Sequence, residues 1–462
     1  MEKLPVTAVF DIGRTNKKFF LFDHEYREVH REYVRLPETV DEDGYPTEDL
    51  PALQAWLREV FDRILEARTY AVEAINFSSY GASFVHLDAD GNIVTPLYNY
   101  TKPLDPELVA KFYATYGPEE TFTARTGSSN DGMLNSGMQL YWLKHRKPET
   151  FARIRYSLHL PQFLSYVFTG IPISEYTSIG CHTALWDYGK RDYHAWVYAE
   201  GIHRILPPIV STETSINMNY NGRRMKIGVG IHDSSAALLP YIRSEAEPFV
   251  LISTGTWSIS LNPFAGGQLR PDDLRQNCIN YMRIDGKPVK AARLFLGEEY
   301  KGQVSRLAEH FGVNPDRHRT VAFDYGIYRS VMRDFRPWFR LEKMDYPGNP
   351  PRTEIATTDY AYAYHHLLAE LVELQARSID TAMGERPVKT LFIDGGFSDN
   401  EVFVQLISHR FRAQELRTTD ASLGSALGAA ICISDRHLNS LFLKKNYGLK
   451  KHQPFIIKEA DA

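Results

Sequence analysis

The chain has 462 residues, 43% apolar and 24% charged, enough for two large domains or a few smaller ones in an ordinary soluble globular protein. A net charge of -4 gives no support for a nucleic-acid or membrane-surface partner, and no run approaches the roughly 18 apolar residues of a membrane span. The N-terminal "MEKLPVTAVFDIG" lacks the basic and long apolar regions of a signal peptide. Cys181, Cys278 and Cys432, odd in number and far apart, fit a reducing cytoplasm rather than a disulfide framework or a zinc site.

In chain order, apolar runs predict strands near 6–12, 17–23 and 28–36, then a helix over 49–66 with apolar residues at helical spacing. A strand over 72–79 leads into "SSYGAS" and a hairpin "FVHLDADGNIV" turning at "DADGN". Residues 105–170 read as mainly helical. "RMKIGVGI" is a strand ending at His232-Asp233, where "SSAALLPYI" begins a helix, and "FVLISTGTWSISLNP" is a second strand–turn–strand. A long helix over 358–383, the strand "TLFIDGG", a helix from 400 and the small-residue helix "SLGSALGAAICIS" complete an α/β pattern. The polar "PYIRSEAEP" has the character of a hinge between two halves, which places domains at 1–242 and 243–462.

Two turns carry the chemistry. "DIGRTN" and "STGTWS" each join two apolar strands, about half the chain apart, as an ancient duplication would leave them. Glycine lets backbone N–H groups approach an anion, and Thr, Asn or Lys at the tip adds donors and charge, so each turn reads as a phosphate-binding hairpin. No P-loop or G-x-G-x-x-G fingerprint is present. Asp11 would repel phosphate alone, so its useful role is through Mg2+; turn capping is the plain alternative. Asp233, between a strand and a helix, reads either as an N-cap or as a general base at the end of a strand. His232 has no second His or acid at ligand spacing, so a substrate hydrogen bond or a structural role is preferred over a metal. Gly395-Gly396 would let a flat purine lie against the backbone, and "GSALGAA" favours close helix packing.

The ordered set "DIGRTNKKFFLFD", "GIHDSSAAL", "STGTWS" and "DGGFSDN" followed by "GSALGAA" resembles the FGGY family of carbohydrate kinases over residues 6–435. "NSGMQLYWLKHRKPE" resembles its helical signature with Gln139 for Lys, and "YVFTGIPISEYTSIGCHTALWD" another segment with Glu175 for Asp. The resemblance implies the actin/Hsp70-like (ribonuclease H-like) ATPase fold, two duplicated domains around a deep cleft, and ATP-dependent phosphorylation of a sugar hydroxyl. It makes Asp233 the general base. It puts Gly13, Thr15, Asn16, Lys17, Gly255 and Thr256 on the phosphate loops, Gly396 and Asn400 on the adenosine motif, and Asp11 and Asp233 on Mg2+, through water. "SSYGASFVHLD" resembles the rhamnulose and fuculose kinases, with Ser83 where they have Asp and Arg293 where an amide is expected. Tyr80, Gly81, Ser83, His232, Asp233 and Arg293 are the implied sugar contacts, and a 6-deoxyketose the leading acceptor. A different ketose or polyol is the alternative, as are a silent sugar or nucleotide sensor and a partner-moving ATPase. The implied partner is a small sugar, without nucleic acid or membrane, and a homodimer is compatible.

Overall fold

The structure is a computed structural model that describes residues 3–67, 69–333, 335–344, 355 and 357–455. Strand β1 (Leu4–Ile12) turns back antiparallel into β2 (Lys17–Phe22) and then β3 (Glu28–Val34). Helix α1 (Leu50–Glu66) crosses over to β4 (Tyr70–Ser79), which runs parallel to β1. Asp49 starts α1 by accepting the Ala52 N–H, and Leu50, Leu53, Leu57, Phe61 and Ile64 bury one face at helical spacing. They meet Phe10 of β1 and Phe168 of α2 (Leu160–Thr169) in an apolar core. Among the described residues the sheet has seven strands. Their order is β5 (Ser215–Tyr220), β6 (Arg223–Gly228), β4, β1, β2, β3, with the short β7 (Ile231–His232) pairing β4 beyond the end of β6.

The second half repeats the plan. Strands β8 (Phe249–Thr254), β9 (Ser258–Asn262) and β11 (Pro288–Leu294) form the antiparallel meander, with β10 (Cys278–Met282) outside β11. β12 (Thr390–Gly395) runs parallel to β8, and β13 (Glu415–Thr419) parallel to β12, with β14 (Lys450–His452) at the edge. Strands β1, β2, β4 and β6 of the first half thus correspond in position and direction to β8, β9, β12 and β13 of the second, as the duplicated turns predict. Helix α4 (Tyr360–Met383), capped by Asp359, buries its apolar face on this sheet.

Helices α3 (Asp233–Ser244) and α6 (Gly424–Cys432) pack together in an apolar cluster drawn from both halves. Pro240 lies inside α3, and its missing N–H leaves the Ala236 carbonyl without its helical partner. Gly428 fills that gap: a Cβ there would lie 1.8 Å from Ala236 O. The small residues of "GSALGAA" therefore serve close packing, as their pattern suggests.

Three local expectations change. Residues 240–244 of "PYIRSEAEP" are helical because α3 continues past Pro240, so a boundary at 242/243 falls inside α3 and the connection is 245–248. The strand Phe84–Leu87 pairs with Tyr156–His159, and across "DADGN" it is joined by the isolated bridge Leu87↔Ile93, with Asp88 N–H donating to Asn92 O and Val94 N–H to His86 O. The run "RMKIGVGI" breaks at Gly230, whose φ of 86° kinks β6 away from β7.

Candidate active site

The first turn closes by Gly13 N–H donating to Asn16 O at 3.0 Å, leaving Thr15 exposed at the tip. Asn16 Oδ1 accepts from Arg35 Nε at 2.9 Å. Cross-strand partners share a face of the sheet. In the hairpin, Asp11 pairs with Lys18 and Ile12 with Lys17, so the two lysines point to opposite faces. Lys17 is buried, with Nζ 2.6 Å from Glu48 Oε1 and 2.7 Å from the Arg14 carbonyl. This corrects its assignment as a phosphate ligand: Lys17 braces the turn from behind. Lys18, not singled out in the sequence, has Nζ 3.9 Å from Asp11 Oδ2 and is the cation on that face. Counting pairs back from the turn would have found it.

The second turn closes by Gly255 N–H donating to Trp257 O at 2.8 Å, with Gly255, Thr256 and Trp257 exposed. Gly297 backs it so closely that a Cβ there would lie 1.8 Å from Gly255 O. Thr254 below the tip donates Oγ1–H to the Asp394 carbonyl at 2.5 Å and accepts from Phe397 N–H at 3.0 Å. This ties the turn to the "DGG" loop.

Asp11 and Asp233 sit at neighbouring strand ends, since Asp11 and Ile231 both pair with Ser78 of β4. Burial pushes the Asp11 carboxyl up to about 6; Lys18 opposes this, Asp233 adds to it, and the Ser425 and Ser78 hydroxyls hydrogen-bond the ionised form. Ser425 comes from α6, so Asp11 joins the two halves. Asp233 is the first residue of α3 rather than its N-cap, which is His232. Its Oδ1 accepts from Ser234 N–H at 2.6 Å, and its side chain keeps 35% exposure toward the cleft. The surrounding protein still pushes its carboxyl up to about 6. The capping alternative thus yields to a carboxylate open to the cleft.

A cavity of about 490 Å3 lies between the halves, lined by Asp233 and Ser234 on one side and Ser253, Asp394, Gly395 and Ser425 on the other. It shares Asp399 with a second cavity of about 650 Å3 lined by Gly396, Asn400, Tyr300 and Tyr364. Asn400 caps helix α5 (Glu401–Arg410) through Oδ1 and donates Nδ2–H to Tyr364 Oη at 2.9 Å. Gly396 and Asn400 are therefore brought together, with a tyrosine pair that the sequence did not single out. Asp233, Asp394, Asp399 and Asp420 all line the first cavity. A triphosphate there would be strongly repelled without a cation. This oxygen-rich donor set, with Asp11 close by, fits Mg2+.

The expected sugar contacts divide. Gly81, His232 and Asp233 come together: a Cβ on Gly81 would lie 3.0 Å from the His232 ring and 3.1 Å from Cys181 Sγ. His232 Nε2 is 3.2 Å from Asp233 Oδ1, but burial depresses its pKa to about 3, so the contact is with a neutral ring and not an ion pair. Tyr80 and Ser83 instead line a separate small hollow with Glu48 and Tyr100, apart from the cavity that Asp233 lines. Arg293 is also committed elsewhere: Nη1 donates to Asp131 Oδ2 at 2.9 Å and Nη2 to Ser129 Oγ at 2.7 Å, bridging the halves. His232 does have ligand-type neighbours after all, Cys181 and His182, delivered by the chain near 180 and invisible to local spacing.

Comparison with known proteins follows this geometry. Residues 6–237 match the model of the N-terminal domain of the FGGY family of carbohydrate kinases, and residues 246–440 match that of the C-terminal domain. The chain belongs to the FGGY family of carbohydrate kinases. The fold is accordingly the family's actin/Hsp70-like ATPase fold. A rhamnulokinase of Yersinia pestis (strain Pestoides F) is 27% identical over 265 residues, 54% of this chain and 53% of the relative. One of Mannheimia succiniciproducens is 23% identical over 266 residues, 54% of this chain and 52% of the relative. The chain spans about half the length of the curated relatives it matches. Among solved structures, a carbohydrate kinase from Novosphingobium aromaticivorans superposes with a TM-score of 0.81 at 23% identity, covering 98% of this chain and 95% of that one. A xylulose kinase from Lactobacillus acidophilus superposes at 0.76 with 15% identity, covering 98% and 94%. At these identities the structural likeness speaks to the fold alone.

Proposed function

We propose that this FGGY member is an ATP-dependent sugar kinase that moves a γ-phosphoryl group onto a hydroxyl of a ketose. The observation that carries the reading is Asp233: a carboxylate at the floor of the inter-half cavity, open on one side, with a pKa near 6. It is ionised at neutral pH yet basic enough to take a proton. As the hydroxyl oxygen bonds to phosphorus and the bond to ADP breaks, the hydroxyl proton passes to Asp233. Ser234 N–H holds that carboxylate through Oδ1, with the neutral His232 ring 3.2 Å away. Lys18 and the exposed tips of the two turns, at Thr15 and Thr256, receive the phosphates, while the Gly13 and Gly255 N–H groups close the turns. Gly396, Asn400 and the tyrosine pair form the nucleoside wall. Asp11 and Asp233 would hold Mg2+, which neutralises phosphate charge when bound.

The leading acceptor is a 6-deoxyketose such as L-rhamnulose or L-fuculose. This rests on "SYGASFVHLD" together with the rhamnulokinase relatives. The second reading is another ketose or a polyol, favoured by the similarity of the fold to a xylulose kinase and by Ser83 in place of Asp. The three cysteines are free and buried, in keeping with a reducing cytoplasm, and no helix among the described residues is long and apolar enough to cross a membrane. We take the halves to be domains divided at the 245–248 connection.

ADP release measured over a panel of ketoses, with glycerol and D-xylulose beside the 6-deoxyketoses, tests both levels. Sugar-dependent release abolished in Asp233→Asn is the expected result. Preference for D-xylulose or glycerol selects the second reading. Binding of sugar and nucleotide without release would mean a sensor and overturn the kinase.

A further inference from the structure

Beside the carboxylate assigned as base lies a group of side chains that phosphoryl transfer does not use. Cys181, His182 and His232 are all buried, and each offers a ligand atom within 4.8 Å of the others. Cys181 Sγ is 3.1 Å from His232 Nε2, and Asp233 Oδ1 is 3.2 Å from the same nitrogen. The edges of a tetrahedron of sulfur and nitrogen ligands around zinc are about 3.3–3.6 Å, so the two contacts of His232 need to open by a few tenths of an ångström, while His182, within 4.8 Å of the other two, closes in and Asp233, outside that group of three, swings in from the cavity side to complete the set.

Without an ion the arrangement is poorly satisfied. One ring nitrogen faces a sulfur and a carboxylate oxygen, and it can donate at most one hydrogen. The other nitrogen, Nδ1, is buried without any partner and keeps the ring proton whether or not Nε2 binds an ion. His182 is already oriented as a ligand: its Nδ1 lies 3.1 Å from the Leu134 carbonyl, which fixes the proton there and leaves the Nε2 lone pair unprotonated. Its backbone sits in the left-handed region at φ 36°, a strained conformation for a non-glycine residue. Asn135 Nδ2 holds that residue's carbonyl at 2.8 Å. Gly81 supplies the space, since any side chain there would push into His232 and Cys181. Tyr281 lines the inter-half cavity with Asp233, and its ring lies 5.6 Å from His232 and 5.8 Å from His182.

We propose that Cys181, His182 and His232 form a site for a thiophilic divalent cation, zinc first, with Asp233 as fourth ligand. One thiolate and two imidazoles select such an ion over Mg2+, which prefers oxygen. On binding, the thiol gives its proton to solvent and sulfur bonds to the metal. With Asp233 held by the ion, the base is withdrawn, so occupancy turns transfer off. Binding itself is independent of the proposed kinase reaction; only the inhibition rests on it.

The test uses the full chain, stripped with a chelator and titrated with Co2+ as the spectroscopic probe, then with Zn2+. The expected result is about one ion per chain, with a near-ultraviolet sulfur-to-cobalt band and visible tetrahedral bands, both displaced by Zn2+. Cys181→Ser should lose the sulfur band, and His182→Gln should weaken binding at least about tenfold, with near-ultraviolet circular dichroism establishing that both fold. Zinc should lower ADP release at least about tenfold with Mg2+ present, reversibly on chelation and not in Cys181→Ser. No sulfur band in the folded protein, or an unchanged titration in Cys181→Ser, would overturn the site. Tight binding with undiminished ADP release would overturn the role of Asp233 as fourth ligand. An inert apoprotein that still shows the sulfur band would support the site and count against the kinase reading instead.

Discussion

Lys18 and Asp11 stand opposite each other across the first hairpin, Nζ 3.9 Å from Oδ2, whereas Lys17 on the reverse face is sealed against Glu48. The two neighbouring lysines should therefore fail differently. Lys18→Met should raise the KM for ATP at least about tenfold and leave the melting temperature nearly unchanged, since Lys18 is 37% exposed and at 3.9 Å makes no hydrogen bond to Asp11. Lys17→Met strands the buried Glu48 carboxylate and should destabilise by about 3 kcal/mol while the folded fraction keeps its ATP affinity. Thermal melts beside ATP titrations check both. A large melting loss in Lys18→Met with normal ATP binding would return the phosphate role to Lys17.

Asp233→Asn should lower turnover at least about a hundredfold while nucleotide and sugar still bind. It should also stabilise the ligand-free fold near neutral pH. The native carboxyl is raised from 3.8 to about 6, so the folded state holds its proton more tightly than the unfolded chain. That contribution is full below about 3.8 and is lost as pH rises through about 6. The melting difference between variant and wild type should grow between pH 4 and 6 and level off above. A flat difference across that window would mean that the carboxyl is not raised.

Activity should follow the same groups. Both Asp11 and Asp233 titrate near 6 and both are needed ionised, so kcat/KM should fall at least about tenfold from pH 7 to pH 5. Saturating Mg2+ should move the limb to lower pH by favouring the ionised pair. A profile flat to pH 5 would argue against a carboxylate base.

What could be read from the sequence was local. Gly13, Gly255 and Asp233 stand at strand ends whose flanking runs are unambiguous, and duplication of the turn implied duplication of the sheet. Lys17 was misread because its neighbourhood to phosphate depends on hairpin register, which places Lys18, not Lys17, beside Asp11. Arg293 and Ser83 were misread for a different reason. Whether a polar side chain faces a ligand or a protein partner depends on segments distant in the chain, here 129–131 and 97–100. The Cys181–His232 contact is of the same kind, made by packing at Gly81 that no spacing rule encodes.

Gly428→Ala should be strongly destabilising. The added Cβ falls on the Ala236 carbonyl that Pro240 leaves unpaired, and backbone on both sides prevents a side-chain adjustment. A loss of at least about 2 kcal/mol in denaturant unfolding is expected, and Pro240→Ala should not rescue it, because the carbonyl itself remains in place. Stability equal to wild type would mean that α3 and α6 are free to move apart.

The cleft itself is held by Arg293. Its guanidinium reaches from the second half to Asp131 and Ser129 of the first, only 10% exposed, and the backbone joins beside it, Leu269 N–H to Ala124 O and Asn280 N–H to Gly127 O. A charged, largely buried hydrogen-bond pair of this kind is worth about 2 kcal/mol, enough to shift an open–closed balance by more than about tenfold. Arg293→Lys keeps the charge and loses the fork, so the ligand-free chain should open and its radius of gyration by small-angle scattering should rise. Sugar and ATP each gain from a closed cleft only when both walls touch them, so together they should recover closure that neither achieves alone. Thr256→Val, which removes a donor from one wall, should weaken ATP binding and blunt that recovery while leaving sugar affinity nearly unchanged. Identical scattering from wild type and Arg293→Lys in every ligand state would mean that the bridge does not govern closure.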